Sequence, residues 1–423
     1  MKEIPIWHEM RDGFRFLLKW LPLATLTGIV LGIVGGSFHH AIDIATELRT
    51  HNPWVIWLLP LVGALISLIY IKLGLEKDPG TNVVLRALHS GDHIPYRLAP
   101  AIFLGATLTH FAGGSSGREG AALQLGGSVA SWIGHRFKLP HREMILIIMC
   151  GMSATFSALF GTPLTAALFP VEVASVGIMH PSAFLPCLLA SMTGFAVANL
   201  LFHVSPTAFH VAEIPEADLL TICKTIILGI LCAAVAVLFC TVIHKAVDLY
   251  KKYFPNLILR TAVGGALVLI LTLLVGSQDY NGAGMHIVEA AIGGSAFGGA
   301  FLLKLLFTAV ALGSGFKGGE IVPVFFVGST FGCVVAPLLG LPASFGAAAA
   351  LVAVFCGVVN CPIASFLLAL ELFDGQGLTL FAVIVTVTHL MAGYIGLYHD
   401  QHLPYSKYQP EFINHQIVET SVE

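Results

Sequence analysis

Three long stretches of this 423-residue chain carry no lysine or arginine: Arg142 to Lys224, Arg260 to Lys304, and Lys317 to Lys407. A Lys or Arg at the centre of a bilayer-spanning helix costs about 2.5–3.5 kcal/mol on insertion scales. Gaps of this length are what burial in lipid selects. Composition agrees: hydrophobic residues make up 56% of the chain and charged residues 11%, against about 25% charged in soluble domains. One membrane-embedded unit is expected, not two or three soluble domains. Most of the cations gather at Lys2–Lys19, Lys72–Arg97, Arg136–Arg142 and Lys245–Arg260, and at Lys407. By the positive-inside rule these segments, and both termini, face the cytoplasm. The expected location is the plasma (inner) membrane, with the lipid bilayer as surroundings. A net charge of -3 gives no footprint for a nucleic-acid partner, and none is expected. The eight cysteines lie in apolar runs without metal-ligand spacing and are expected to be buried, reduced packing residues. No metal or cofactor is expected.

A simple span needs about 20 apolar residues. Several apolar runs here are shorter, broken at Gly161-Thr162-Pro163, at Gly315-Phe316-Lys317-Gly318-Gly319 and at Asn360-Cys361-Pro362. Irregular backbone at membrane depth persists only where it is buried or lines a cavity. Interrupted helices in corresponding places mark a transporter site near the midplane. The corresponding places exist. Gly-Ser-Ser-Gly-Arg-Glu-Gly at 114–120 is echoed by Gly-Ser-Gly-Phe-Lys-Gly-Gly-Glu at 313–320. Gly-Thr-Pro-Leu-Thr-Ala-Ala-Leu-Phe-Pro-Val-Glu at 161–172 is echoed by Asn-Cys-Pro-Ile-Ala-Ser-Phe-Leu-Leu-Ala-Leu-Glu at 360–371. Two motifs in the same order at nearly the same spacing indicate an internal duplication. The expected organisation is a cytoplasmic amphipathic helix at 1–20, transmembrane repeats at 21–210 and 211–400, and a short cytoplasmic tail at 401–423. The fold class is an all-α polytopic membrane protein with re-entrant broken helices.

Arg118-Glu119 follows a glycine-rich break and precedes an apolar run. Glycines permit tight backbone, and the helix start that follows aims the positive end of its dipole outward. A second start near Glu320 would converge on the same point. Two such ends make an anion site from backbone amides, without a fixed cation that would hold the ion too tightly. Glu119 beside that point can compete with the anion when charged and move aside when protonated. Burial makes charging a carboxylate costly, so such a group can exchange a proton near neutral pH. A phosphate cradle would need Gly-Lys-Ser/Thr, which this loop lacks. Glu320 is a candidate second proton-handling or anion-proximal carboxylate. Glu172 and Glu371 end short apolar helices and are read as partners for backbone or hydroxyl groups. His110 is read as a packing histidine.

Gly117-Arg118-Glu119-Gly120 resembles the Gly-Arg/Lys-Glu-Gly-Pro signature of the CLC family of anion channels and proton-coupled antiporters, with Ala121 in place of the Pro. Gly319-Glu320-Ile321-Val322-Pro323 aligns with the family's Gly-x-Phe-x-Pro. Asp78-Pro79-Gly80-Thr81-Asn82 aligns with Gly-Ser-Gly-Ile-Pro, without the anion-binding serine. The resemblance covers almost the whole chain. It implies a CLC-type fold with inverted repeats, a homodimer, and Glu119 as gating and proton-carrying glutamate. It also implies that Gly80, Thr81, Asn82, Gly117, Arg118, Gly120, Ile321, Val322 and the hydroxyl of Tyr398 line the anion site, with Tyr405 as the other candidate tyrosine. The departures resemble the fluoride-exporting, proton-coupled branch. So does Val173, which stands where chloride antiporters carry an inner proton glutamate. Val322 departs from that branch, whose members tend to have threonine there. The function implied is therefore fluoride export coupled to proton exchange. A chloride-selective channel or a chloride/proton antiporter is the alternative. A membrane enzyme would need clustered His/Asp/Glu motifs, which the sequence does not show.

Overall fold

The computed structural model describes residues 6–91 and 93–416, so the first five residues of the expected N-terminal segment and the last seven of the tail lie outside it. The first helix, α1, runs unbroken from Ile6 to His51. The expected boundary at residue 20 falls inside this helix. Pro22 removes only the bond to the carbonyl one turn back, and Trp20 and Ala24 on either side of it are buried, so packing carries the helix through. Lys19 pairs with Glu143 at 2.5 Å and ties this helix to the first turn of the helix that starts at His141.

A short 3-10 turn at Pro53–Leu58 leads into α2 (Leu59–Lys72), followed by α3 (Asn82–Ser90), α4 (Leu98–Ala112), α5 (Glu119–Arg136), α6 (His141–Phe160), α7 (Pro163–Ala174) and α8 (Pro181–Phe202). The chain then continues through α9 (Leu219–Tyr253), α10 (Leu257–Val275), α11 (Met285–Ile292), α12 (Ala300–Ser314), α13 (Ile321–Val335), α14 (Ala343–Val359), α15 (Pro362–Leu372) and α16 (Leu378–Met391). The series α4 to α7 returns, about 200 residues on, as α12 to α15. Among the described residues, seven helices are long and apolar enough to cross a bilayer. Six apolar ones are shorter, including α4, α7, α12 and α15. At 1.5 Å per residue, the 12 residues of α7 reach about 18 Å, short of the roughly 30 Å hydrocarbon core. These short pieces are the broken helices that the glycine and proline interruptions predict.

The duplication closes on itself through two carboxylates. Glu172, at the end of α7, accepts from the amides of Ile363 and Ala364 at the start of α15, at 3.0 and 2.7 Å. Glu371, near the end of α15, accepts from the amides of Leu164 and Thr165 at the start of α7, both at 2.8 Å, and from the Thr165 hydroxyl at 2.6 Å. A helix start carries partial positive charge and unpaired amides, so each negative side chain sits where it is stabilised. The structural reading of these two glutamates fits this geometry. Hydrogen bonds to a charged group contribute about 1.5–3 kcal/mol each. Glu172→Gln keeps one acceptor and is expected to lose about that amount. Thermal unfolding in detergent measures it, and an unchanged midpoint would remove the clasp from the account.

The C-terminal segment is more than a polar tail. His402–Tyr405 (β1) and Phe412–Gln416 (β2) form an antiparallel pair with His402 opposite Gln416 and Leu403 opposite His415. Side chains from this segment bind helix ends: Gln401 Nε2 donates to the carbonyls of Val173 and Val359, and Lys407 Nζ to Asn360 Oδ1 and the carbonyl of His389. The all-α expectation holds apart from this hairpin. Seven of the cysteines are buried as expected, whereas Cys223 is exposed.

Candidate functional site

The glycine-rich breaks at 113–118 and 315–320 meet in the middle of the molecule. Gly117 and Gly319 exchange backbone hydrogen bonds, N–H to carbonyl at 2.6 Å in both directions. Only glycine allows that approach. A Cβ on Gly319 would stand 2.5 Å from the amide nitrogen of Gly120, and one on Gly117 would stand 2.5 Å from Glu119 Oε2. Gly319→Ala must therefore push the two helix starts apart. It is expected to cut transport by about tenfold or more in protein that still runs as a single species on a sizing column. Wild-type flux from such protein would contradict the bridge's role.

Above this bridge, α5 begins at Glu119 and α13 at Ile321. The Glu119 side chain is fully buried. Its Oε2 accepts from the amide of Arg118 at 3.0 Å and from that of Val322, in the first turn of α13, at 3.3 Å. Its Oε1 has no hydrogen-bond partner among the described residues and lies 3.8 Å from Arg118 Nε. The carboxylate thus occupies the point on which both helix starts converge, where an anion would be held by backbone amides. The rest of the Arg118 guanidinium reaches Asp43 at 3.3 Å.

Glu320 sits one residue before α13. Its Oε2 is buried without a partner among the described residues. A Cβ on Gly120 would lie 2.9 Å from this oxygen and 3.0 Å from Thr81 Oγ1, so Gly120, Thr81 and Glu320 converge. Gln124, one turn into α5, donates towards Thr81 Oγ1 at 3.4 Å and the Gly120 carbonyl at 3.3 Å. The Tyr398 hydroxyl is buried, lacks a partner among the described residues, and lies within electrostatic reach of both Glu320 and Glu119.

Cavities approach this centre from two ends. One of about 660 Å3 is lined by Arg49, His110 and Arg118 and ends on Val322. Two smaller ones, about 210 and 310 Å3, are lined in part by Lys251 and both end on Glu320. Glu119 lines none of these three cavities and is fully buried.

Most of the residues singled out from sequence meet here: Gly117, Arg118, Glu119, Gly120, Thr81, Glu320, Ile321, Val322 and Tyr398. Two stand apart. The amide of Gly80 points to Asp78 Oδ1 at 3.3 Å. Asn82 Oδ1 accepts from the Asp400 amide, also at 3.3 Å. Both belong to the walls of the Glu320-side cavities. Sequence reasoning missed Gln124, whose signal was a lone amide in an apolar run one turn after Gly120. It also missed the Lys317–Asp78 ion pair at 2.9 Å, which joins the two glycine-rich loops' surroundings.

A buried carboxylate at two converging helix starts, inside a polytopic helical membrane protein with a cavity on either side, defines a membrane pathway for small anions. The comparisons place it further. The family model described as voltage gated chloride channel matches residues 62–393, and the chain belongs to that family, the CLC proteins. It is 35% identical over 407 residues to the chloride/fluoride channel protein of Pseudomonas syringae pv. tomato, covering 95% of this chain and 90% of that one. It is 27% identical to the H(+)/Cl(-) exchange transporter ClcA of Cronobacter sakazakii, covering 90% and 87%. The crystal structure of a CLC-type fluoride/proton antiporter superposes with a TM-score of 0.87 at 30% identity, covering 91% of this chain and 98% of the other. A slow cyanobacterial Cl-/H+ antiporter shares the fold, with a TM-score of 0.73 at 23% identity, covering 88% and 94%.

Proposed function

We propose that this protein exchanges a small anion, fluoride before chloride, for protons across the membrane. The observation that carries this reading is the seat of the Glu119 carboxylate, held by the Arg118 and Val322 amides with one oxygen unpaired. When charged, the side chain fills the anion's place. When protonated, it has less hold on two helix starts and can swing out, carrying its proton, as an anion enters. Glu320 is the second carboxylate of the route, reached from the opposite cavities. Val173 is apolar and fully buried, so it offers no proton acceptor at the place where the resemblance expects one in chloride antiporters. Likeness to the fluoride/proton antiporter and to the chloride/fluoride channel protein supports fluoride as cargo.

The Arg49 and Glu119-side cavity opens outward in this reading, and the Glu320-side cavities open to the cytoplasm of the plasma (inner) membrane. Lys251 and Lys245 line the latter, as the positive-inside rule requires. The repeats run over 21–210 and 211–400, the unit is a homodimer in lipid, and it carries out transport, not an enzymatic reaction. A passive channel is the second reading, favoured by likeness to the chloride/fluoride channel protein of Pseudomonas syringae pv. tomato. The anion reversal potential in liposomes separates the two: an exchanger's shifts with an imposed pH gradient and a channel's does not.

A further inference from the structure

We infer that the cavity on the Glu119 side holds a second anion-binding site, built on the guanidinium of Arg49 and suited to a small monovalent anion. This rests on the proposal that the cavity is one mouth of the pathway. Arg49 lies near the end of α1 and is only 6% exposed, yet it lines the cavity. Its Nε and Nη1 have no hydrogen-bond partner, and it forms no ion pair, among the described residues. The carbonyls nearby accept from other donors, and none bonds to Nε or Nη1 of Arg49 among the described residues. The guanidinium packs against Gly113 and Gly282, where added Cβ atoms would lie 3.5 and 2.9 Å from Nη1. The Gly113 carbonyl accepts from Asn281 Nδ2 at 2.8 Å. The carbonyls of Gly282 and Tyr280 accept from the buried Lys304 Nζ at 2.6 and 3.2 Å. A buried, unpaired guanidinium is costly, and what it lacks is an acceptor.

The carboxylates of this cavity do not supply one. Asp43 is held by His39 at 3.0 Å and by Arg118 at 3.3 Å, and Asp279 pairs with His286 at 3.3 Å. Glu289 is the remaining acid of the lining, and Arg49 has no ion pair to it. His110 lines the same cavity, and its buried Nε2 has no hydrogen-bond partner among the described residues. Its Nδ1 bonds to the Ala106 carbonyl at 2.9 Å and so carries the hydrogen, which leaves Nε2 of the neutral ring as an acceptor. The donors are therefore those of the Arg49 guanidinium, whose Nε and Nη1 N–H groups are unpartnered, and a small anion seated against the charged group supplies the acceptor it lacks. An anion leaving the Glu119 point passes this group on its way through the cavity and is held there while the carboxylate swings back, which limits return.

The test uses the full-length protein crystallised from bromide-containing solution, with bromide as an anomalous marker, alongside proteoliposome flux. The expected result is an anomalous peak within hydrogen-bond distance of the Arg49 guanidinium. Arg49→Gln should lose the peak, and Arg49→Lys should retain it weakly. In flux, Arg49→Gln should raise by about tenfold the anion concentration needed on that side for half-maximal exchange. Protons moved per anion should stay unchanged. No peak in wild-type crystals overturns the inference without touching the exchange reaction. A peak combined with unaltered concentration dependence marks an adventitious ion only, and also overturns it. Loss of proton coupling in wild-type protein would instead count against the exchange reading, whatever the crystals show.

Discussion

Glu119→Gln is expected to abolish proton movement, by about a hundredfold or more relative to wild type, while anion movement persists and no longer depends on pH. The substitution keeps the size of the side chain and one acceptor oxygen, so the bonds from the Arg118 and Val322 amides can still form. What it removes is the negative charge and the ability to carry a proton. The side chain then imitates the protonated state at every pH. A hundredfold loss corresponds to about 2.7 kcal/mol, at roughly 1.36 kcal/mol per factor of ten. That is within the range set by one charged group in a site that excludes water. The measurement is acidification of the medium when an anion gradient drives flux through proteoliposomes. Wild-type acidification by the variant would remove Glu119 from the proton route.

The second large effect is expected at Glu320. Its Oε2 is unpaired, faces Gly120 and Thr81, and closes the ends of two cavities. Glu320→Gln should slow coupled exchange by about tenfold or more, because the proton given up by Glu119 loses its next acceptor. Passive anion leak should fall less, since the α13 helix start that holds the anion is untouched. Equal loss of coupled and uncoupled flux would instead make Glu320 a structural residue. Val173→Glu is a useful companion. It places a carboxylate where the resemblance expects one in chloride antiporters. It is not expected to rescue Glu320→Gln, because Val173 is fully buried in the apolar core, where a carboxylate finds no water.

Some of this was legible in the sequence for a physical reason. Glycine-rich breaks between apolar runs have to be buried, so Gly117, Glu119, Gly120 and the loop at 318–320 announced a site before any coordinates. The reciprocal caps at Glu172 and Glu371 were also visible, as acids at matching ends of short helices. Other features depend on partners distant in sequence. The sequence sets an N-terminal helix at 1–20 apart from the first repeat, and only the burial of Trp20 and Ala24 shows why α1 continues. Gln401 and Lys407 looked like tail polarity until their bonds to Val359 and His389 were seen. Arg49 sat beyond the apolar part of its helix, and nothing local in the sequence marks a cation whose neighbouring carbonyls accept from other donors. Gly80 aligned with an anion-binding loop, yet its amide is turned to Asp78.

The most direct test of the account is fluoride and chloride flux from purified protein in liposomes under an imposed proton gradient. The account predicts that the proton gradient drives fluoride uphill, that fluoride flux carries protons the other way, and that chloride moves more slowly. Fluoride that only runs down its own gradient, or chloride that couples to protons while fluoride does not, would contradict it.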